Sequence, residues 1–498
     1  MATVSRAAGR GTVTSPYSIP FVIAASAVGT VIEWYDFYLY ATLTPFLAPI
    51  FFPPGDATGQ LLSAFAVYGA GFAVRPFGAI VFGRIGDVIG RKYAFLVTVT
   101  IMGGATVLVG VLPSYAQIGV LAPVILVTFR MLQGLALGGE YGGAAIYVAE
   151  HAPDNKRGLY TAWIQTTATL GFFFSLLIIL ITRVGFGEAT YAAWGWRVPF
   201  LFSAVLVGFA LYIRLKLQET PLFQRLKDSG QTSTGTTSWA KDSFSGNKVG
   251  VILLVLIGMT AGQAVVWYQG QFQALNFLTV YLKTPYQTAY TIVMLALVFG
   301  TPLFLFFGWL SDRIGRKPII LGGCALAAIT YVPIYMAMVA NANVVYDAAG
   351  KITGANPNAL VEAILIWLQV VWVTMVYGPI AAFLVEFFPA RVRYTSLSIP
   401  YHLGNGEFGG WLPFIYTGMV AATVAGAGYS PFLGVIDLRG FNPSNDPNGN
   451  IFAGLGYTIV VSIITAIVGW FFIPETRNRQ IWEEVGGHTV GEGAPAIP

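Results

Sequence analysis

Charge is what this sequence has least of. Only 10% of its 498 residues are Asp, Glu, Lys or Arg, whereas 56% are hydrophobic, among them 36 Phe, 25 Tyr and 12 Trp. A soluble globular chain covers its surface with roughly 25% charged residues, so a wholly water-facing exterior is excluded. The single cysteine, Cys324, excludes an internal disulfide framework and a cysteine-based zinc site. The three histidines, His151, His402 and His488, form no HExxH or His/Cys set, so no metal is expected. No GxxxxGK[ST] phosphate loop is present, which argues against an ATP-driven pump, and no nucleophile–base pair points to an enzyme. No cofactor is expected.

What the sequence has instead is long stretches without charge. No Lys, Arg, Asp or Glu falls within 93–129, 158–182, 198–213, 249–282, 284–311, 318–346, 363–385, 408–436 or 447–474. A membrane-spanning helix needs about 20 apolar residues, and these runs predict twelve, near 19–50, 60–83, 93–112, 117–149, 159–183, 196–216, 249–281, 286–310, 318–340, 359–385, 393–426 and 451–473. Barrel strands are about ten residues long and alternate strictly, so an all-α integral membrane fold is expected, with the lipid bilayer as its solvent. The first run is a full span that carries carboxylates, so no cleavable leader is expected.

Lys and Arg are retained on the cytoplasmic side. With both termini inside a plasma (inner) membrane, the cytoplasmic segments hold 20 of the 27 basic residues. The outer loops hold Arg183, Arg197, Lys283, Lys351 and Arg439, which leaves Arg75 and Arg130 within the membrane. The net charge of +5 is thus a topology signal, and no nucleic-acid patch is expected.

The chain repeats itself. GRIGDVIGRK at 83–92 recurs as GWLSDRIGRK at 308–317, AEHAPDNKR at 149–157 as VEFFPARVR at 385–393, and QET at 218–220 as PET at 474–476. The offset grows where the second half has longer outer loops, 341–358 and 427–450. The pattern divides the chain into a tail at 1–18, a six-helix half at 19–216, a linker at 217–248 with the flexible tract QTSTGTTS, a second half at 249–473 and a tail at 474–498. Two linked halves around a central site is the architecture of a rocking carrier.

The doubled GxxxDxxGRK motif, with its companion ExxPxxxR, resembles the major facilitator superfamily over nearly the whole chain, in its sugar-porter-like branch. GTVIEWYDFYLY at 29–40, RPFGAIVFGRIGDVIGRK at 75–92, RMLQGLALGGEYGG at 130–143 and GWRVPFLFS at 195–203 are similar to the metabolite:proton symporter family. That resemblance implies uptake of small acids or zwitterions such as 2-oxoglutarate, shikimate, citrate, proline or betaine, with a proton as coupling ion. A proton antiporter and a non-transporting membrane receptor are the alternatives, and sodium stays open as coupling ion because carboxylates also bind it. A monomer is expected.

Six residues are costly where they lie: Glu33, Asp36, Arg75, Arg130, Glu140 and Glu407. A charge near the bilayer centre costs about 2.5–3.5 kcal/mol even on the mild insertion scale. Glu33 and Asp36 share a helix face at i, i+3, with Tyr40 one turn on. By resemblance Asp36 matches the first-span aspartate used for proton coupling, and Arg130 the fourth-span arginine that pairs with it. Protonation of Asp36 would free Arg130; the other reading is a permanent ion pair that fixes packing. Arg75, ahead of Pro76, either forks onto a substrate carboxylate or pairs with Glu33. Glu140, among four glycines, is read as a helix-to-helix hydrogen-bond partner, with a second titratable site as the other reading.

Further cavity candidates are Gln269, Gln273 and Asn276, which an α-helix places on one face while turning Gln271 away, and Tyr377 with Trp34, Tyr35 and Trp372 as walls. His402 and Asn405, with Glu407, form a polar cluster on span 11. GNGEFGG around them has dinucleotide-loop spacing but no preceding strand, and is set aside. In the cytoplasmic loops, Asp87, Arg91, Glu150, Arg157, Asp312, Arg316, Glu386 and Arg393 are expected to form a latch, with Glu150 beside Arg157 and Glu386 beside Arg393.

Overall fold

A computed structural model describes residues 19–89, 91–139, 141–216, 248–389, 393–424, 438–477, 479 and 481. The first tail, most of the second, most of the linker and Glu140 lie outside the described residues. Of Asp87 and Arg91 the backbone alone is described.

Twelve helical spans run through the described residues: α1 (Ile19–Phe51), α2 (57–88), α3 (Arg91–Val111), α4 (121–151), α5 (Arg157–Ala193), α6 (Val198–Lys216), α7 (248–281), α8 (Tyr286–Ile314), α9 (Arg316–Asn341), α10 (359–387), α11 (393–421) and α12 (Leu455–Phe472). Each exists because a long apolar run must satisfy its own backbone in lipid. Asp56 caps α2 by accepting from Gly59 N at 2.7 Å, and Asn358 caps α10. The helix of α2 breaks at Val74, with Pro76 just inside its second segment. In α5 the helix runs on to Ala193 across a kink at Gly187, whose φ of +72° suits glycine, ten residues past the expected end.

The first six spans and the last six form two bundles that meet most extensively where α5 lies on α8 and α2 on α11. One buried apolar cluster, from Trp34 to Ile481, continues through both. Large apolar side chains such as Val205, Phe299, Ile329 and Phe471 remain exposed on the perimeter, where only lipid can cover them. The molecule is a multi-pass membrane protein.

The loop between α9 and α10 departs from the all-α pattern. Its strands β1 (Val344–Tyr346) and β2 (Ile352–Ala355) form an antiparallel hairpin. Asn448 of the loop before α12 holds the hairpin, accepting from Ile352 N at 2.8 Å and donating to Gly350 O at 2.9 Å. The two long loops foreseen in the second half therefore brace each other.

Candidate functional site

The site begins at a crossing of two backbones. A Cβ built on Gly134 of α4 would lie 1.6 Å from the Gly71 carbonyl of α2, and one on Gly138 would lie 2.1 Å from that of Arg75. Glycine alone allows this approach, and it brings both intramembrane arginines to one place. Arg75 lies 3.7 Å over the Phe72 ring and 4.7 Å over Phe37, while Arg130 lies 4.5 Å over Tyr40 and 5.1 Å over the same Phe37. Aromatic faces stabilise a desolvated cation by about 2 kcal/mol, which holds the two guanidiniums without a carboxylate.

The second half closes the site from across the bundle. Tyr268 of α7 and Tyr401 and His402 of α11 lie within electrostatic reach of Arg75, as do Tyr38 and Tyr68. Trp34, Tyr38 and Trp267 form an aromatic wall with ring centroids 5.3–5.9 Å apart, and Tyr377 abuts Trp267 at 5.7 Å. Several buried polar atoms here have no hydrogen-bond partner among the described residues: Arg75 Nε and Nη2, Arg130 Nε, the hydroxyl of Tyr38 and Trp267 Nε1. Nearly all are donors, so the centre is rich in N–H and O–H groups and poor in acceptors. On the side of the site toward Asp312, Tyr141 stacks on Tyr401 across the halves at 3.5 Å, and the Tyr377 and Tyr401 hydroxyls meet at 2.6 Å. Gln165 donates to the Tyr141 hydroxyl and to the Tyr377 carbonyl at 2.8 and 2.9 Å.

The carboxylates sit apart from the arginines. Glu33 and Asp36 are both buried, but Asp36 turns into the first half to face the hydroxyls of Thr106 on α3 and Ser203 on α6. The expected ion pair with Arg130 is therefore not formed. Gln133 intervenes: it accepts from Arg130 Nη1 at 2.6 Å and donates through Nε2 to Thr106 Oγ1 at 2.8 Å. Arg75 likewise makes no ion pair with Glu33 among the described residues.

Several candidates are engaged elsewhere. The Tyr40 hydroxyl donates to Ala64 O at 3.1 Å, leaving only its ring for Arg130. Gln269 donates to Tyr335 at 2.7 Å and accepts from Thr458 at 2.9 Å, which ties α7 to α9 and α12 within the second half. Asn405 exchanges hydrogen bonds with Gln263 at 3.3 Å. Gln271, expected to face away, instead reaches Thr169 of α5 at 3.3 Å across the halves. The physical reason is local: α7 winds as π-helix over Leu256–Thr260, Tyr268–Gln273 and Phe277–Tyr281. A turn closed by i→i+5 bonds advances each residue by less than an α turn, which rotates the glutamines off the face that α-spacing assigns. Gln273 keeps an unpartnered Nε2 and accepts from Asn276 at 3.4 Å. Glu407 is half-buried beside Trp411 and Tyr457, away from Arg75. Glu362, which the expected span 359–385 contains but which was not singled out, is fully buried in the first turn of α10 and accepts from Asn341 at 3.1 Å.

A second cluster closes the end of the bundle that carries GWLSDRIGRK. Glu386 accepts from Arg157 at 2.9 Å and from Arg316 at 3.0 Å, with all three side chains buried. Asp312 accepts from Arg316 at 2.7 Å and from the first backbone N–H groups of α5, Gly158 at 2.8 Å and Leu159 at 2.9 Å, so a carboxylate of one half caps a helix of the other. Glu150 stands 3.9 Å from Arg393. The expected pairing within each repeat is thus exchanged: Arg157 takes Glu386 and Arg393 takes Glu150, because the two repeats face each other across the joint. Sequence reasoning missed Glu475, which caps α9 by accepting from Arg316 N and Lys317 N, and Thr476, which donates to Glu386 at 2.8 Å. Their signal was the PET/QET echo.

A family model described as "Sugar (and other) transporter" matches residues 21–252. The inner membrane metabolite transport protein YhjE of Escherichia coli K12 is 36% identical over 393 residues, 77% of this chain and 84% of that protein. The proline/betaine transporter of the same organism is 30% identical over 470 residues, 92% and 84% of the two chains. Among solved structures, the proton:xylose symporter XylE bound to 6-bromo-6-deoxy-D-glucose superimposes with a TM-score of 0.69 at 16% identity, covering 94% of this chain and 98% of its own.

Proposed function

Since the chain belongs to the metabolite:proton symporter family of the major facilitator superfamily, we propose that it takes up a small carboxylate-bearing metabolite, an organic acid or a zwitterion, together with a proton by alternating access. One observation carries this reading: the buried Arg75 guanidinium, with Nε and Nη2 both unpartnered amid other donors. A buried charge without a partner is strongly destabilising, and a substrate carboxylate supplies what is missing through two parallel hydrogen bonds. Arg130, His402, Tyr68 and Tyr268 surround that position. Asp36 carries the coupling proton, with Glu33 beside it. The likeness to a carrier of proline and betaine supports a carboxylate as the shared feature of its substrates.

The test is transport in proteoliposomes holding a pH dye. Adding carboxylates, amino acids or betaines outside should acidify the lumen only with the true substrate. Substrate uptake that ignores collapse of the pH gradient overturns proton coupling, and lumenal alkalinisation on substrate entry overturns symport.

The basic end of the bundle is the cytoplasmic one in this proposal, and the Glu386 cluster is its latch. Breaking a buried ion pair from one side costs about 3–5 kcal/mol, while about 5.5 kcal/mol moves a two-state equilibrium from 1:99 to 99:1. Glu386→Gln removes the buried carboxylate that Arg157 and Arg316 share and should open the basic end. Labelling of a cysteine introduced in that vestibule should then rise by roughly a hundredfold, against a background where the one native thiol, Cys324, is buried. Unchanged labelling would remove the latch from the scheme.

A further inference from the structure

We propose that Thr106 and Gln133 are positioning residues that transmit the protonation state of Asp36 to Arg130, in place of a direct ion pair; this rests on the coupling role assigned to Asp36 above. The geometry is a chain of four groups on three helices. Arg130 Nη1 donates to Gln133 Oε1 at 2.6 Å, Gln133 Nε2 donates to Thr106 Oγ1 at 2.8 Å, and Thr106 faces Asp36. Gln133, Thr106 and Asp36 are all buried, so water does not compete for these bonds. Both donors of the chain, Arg130 Nη1 and Gln133 Nε2, point from the arginine toward Thr106. A head-to-tail chain between a cation and an anion is polarised along its length, and its members strengthen one another.

The Thr106 hydroxyl is where the chain can switch. A hydroxyl has one proton to donate, and in this structure it lies 3.0 Å from the Met102 carbonyl. The same hydroxyl is also within hydrogen-bonding reach of Asp36, so its one proton is contested between a carbonyl and the carboxyl, and the orientation toward Met102 suits a protonated, neutral carboxyl. When Asp36 loses its proton to the side facing the vestibule, the carboxylate becomes the stronger acceptor. Thr106 then turns from Met102 to Asp36, the chain gains its anionic end, and Arg130 is drawn toward Gln133 and away from the centre. Reprotonation reverses each step, so the proton is conserved and only the hydroxyl rotates. The groups that face Asp36 are few. Glu33 and Tyr35 lie on its own helix, Thr106 on α3 and Ser203 on α6. Arg130 of α4 connects through Gln133, and among the described residues no titratable group of α2 or α5 acts on it.

The experiment compares Thr106→Val, Thr106→Ser and Gln133→Leu in proteoliposomes with a native-like pH gradient. Valine keeps the shape and removes the hydroxyl. The ratio of gradient-driven uptake to substrate exchange should fall about tenfold in Thr106→Val and Gln133→Leu. The pH profile of uptake should flatten, and Thr106→Ser should restore both. An unshifted pH profile and an unchanged ratio in Thr106→Val overturn the proposal. So does an equal loss of uptake and exchange that serine fails to rescue, which assigns Thr106 to packing. Asp36→Asn run in parallel separates the two levels. If that variant still concentrates substrate, the coupling role of Asp36 fails; if it does not while Thr106→Val does, only the relay fails.

Discussion

Asp36→Asn should reduce accumulation of substrate against its gradient to simple equilibration, while exchange of labelled for unlabelled substrate continues. The wild-type carrier must not carry substrate across while Asp36 is charged, or substrate would run back down its gradient without a proton. A charge near the middle of the membrane costs about 2.5–3.5 kcal/mol, and each 1.36 kcal/mol is tenfold in rate, so the charged form is held back by roughly two orders of magnitude. Asparagine is neutral in every state. The empty and loaded forms then cross with similar ease, substrate leaks back as fast as it enters, and uptake no longer rises as the outer pH falls. Asp36 is buried against Thr106 and Ser203, both of which can bond an amide, so the variant is expected to fold. Substrate accumulated to the wild-type level by Asp36→Asn would remove Asp36 from the coupling step.

The spans were legible because lipid enforces a simple rule: a run free of charge and about 20 residues long must close its own hydrogen bonds as a helix. The repeat of GRIGDVIGRK as GWLSDRIGRK made the two halves visible in the same way. Ion-pair partners were less legible. A repeat shows that Glu150 and Glu386 occupy matching places, as do Arg157 and Arg393, but it carries no information on which half each carboxylate reaches into. The exchange of partners across the joint is a property of assembly.

The centre was legible in its charges and illegible in its amides. Arg75, Arg130 and Asp36 stand out because each is expensive in a bilayer. Gln133, Thr106 and Gln165 do not, since polar neutral side chains are common in helix interfaces, and nothing in spacing tells a relay from a packing bond. Gln133 offered one clue, its position one turn after Arg130. The glutamines of α7 failed for a different reason. A face computed at 3.6 residues per turn is wrong wherever the helix widens, and the π turn at Tyr268–Gln273 moved Gln271 to the joint between halves while Gln269 went into the second bundle.

Arg75→Lys should raise the half-saturation concentration for substrate by about 10- to 150-fold with the protein still folded. The guanidinium is wedged at 3.7 Å over Phe72 and 4.7 Å over Phe37, and its free Nε and Nη2 form an adjacent pair of donors. Lysine keeps the charge but neither stacks in the same way nor presents two parallel N–H groups. Hydrogen bonds to charged groups contribute about 1.5–3 kcal/mol, which converts to that range of affinity. The same reasoning sets an opposite effect on stability. Among the described residues Arg75 is a buried cation without a carboxylate partner, so Arg75→Met, which fills similar volume without charge, should raise the melting temperature of the empty protein. Substrate should then stabilise the wild type alone, by mass action on the folded state. An Arg75→Lys variant with unchanged half-saturation would place the carboxylate elsewhere. A melting temperature that falls in Arg75→Met would mean the guanidinium serves packing through Phe37 and Phe72. A rise in stability together with a loss of affinity would mark Arg75 as a group kept for its ligand at the expense of the fold.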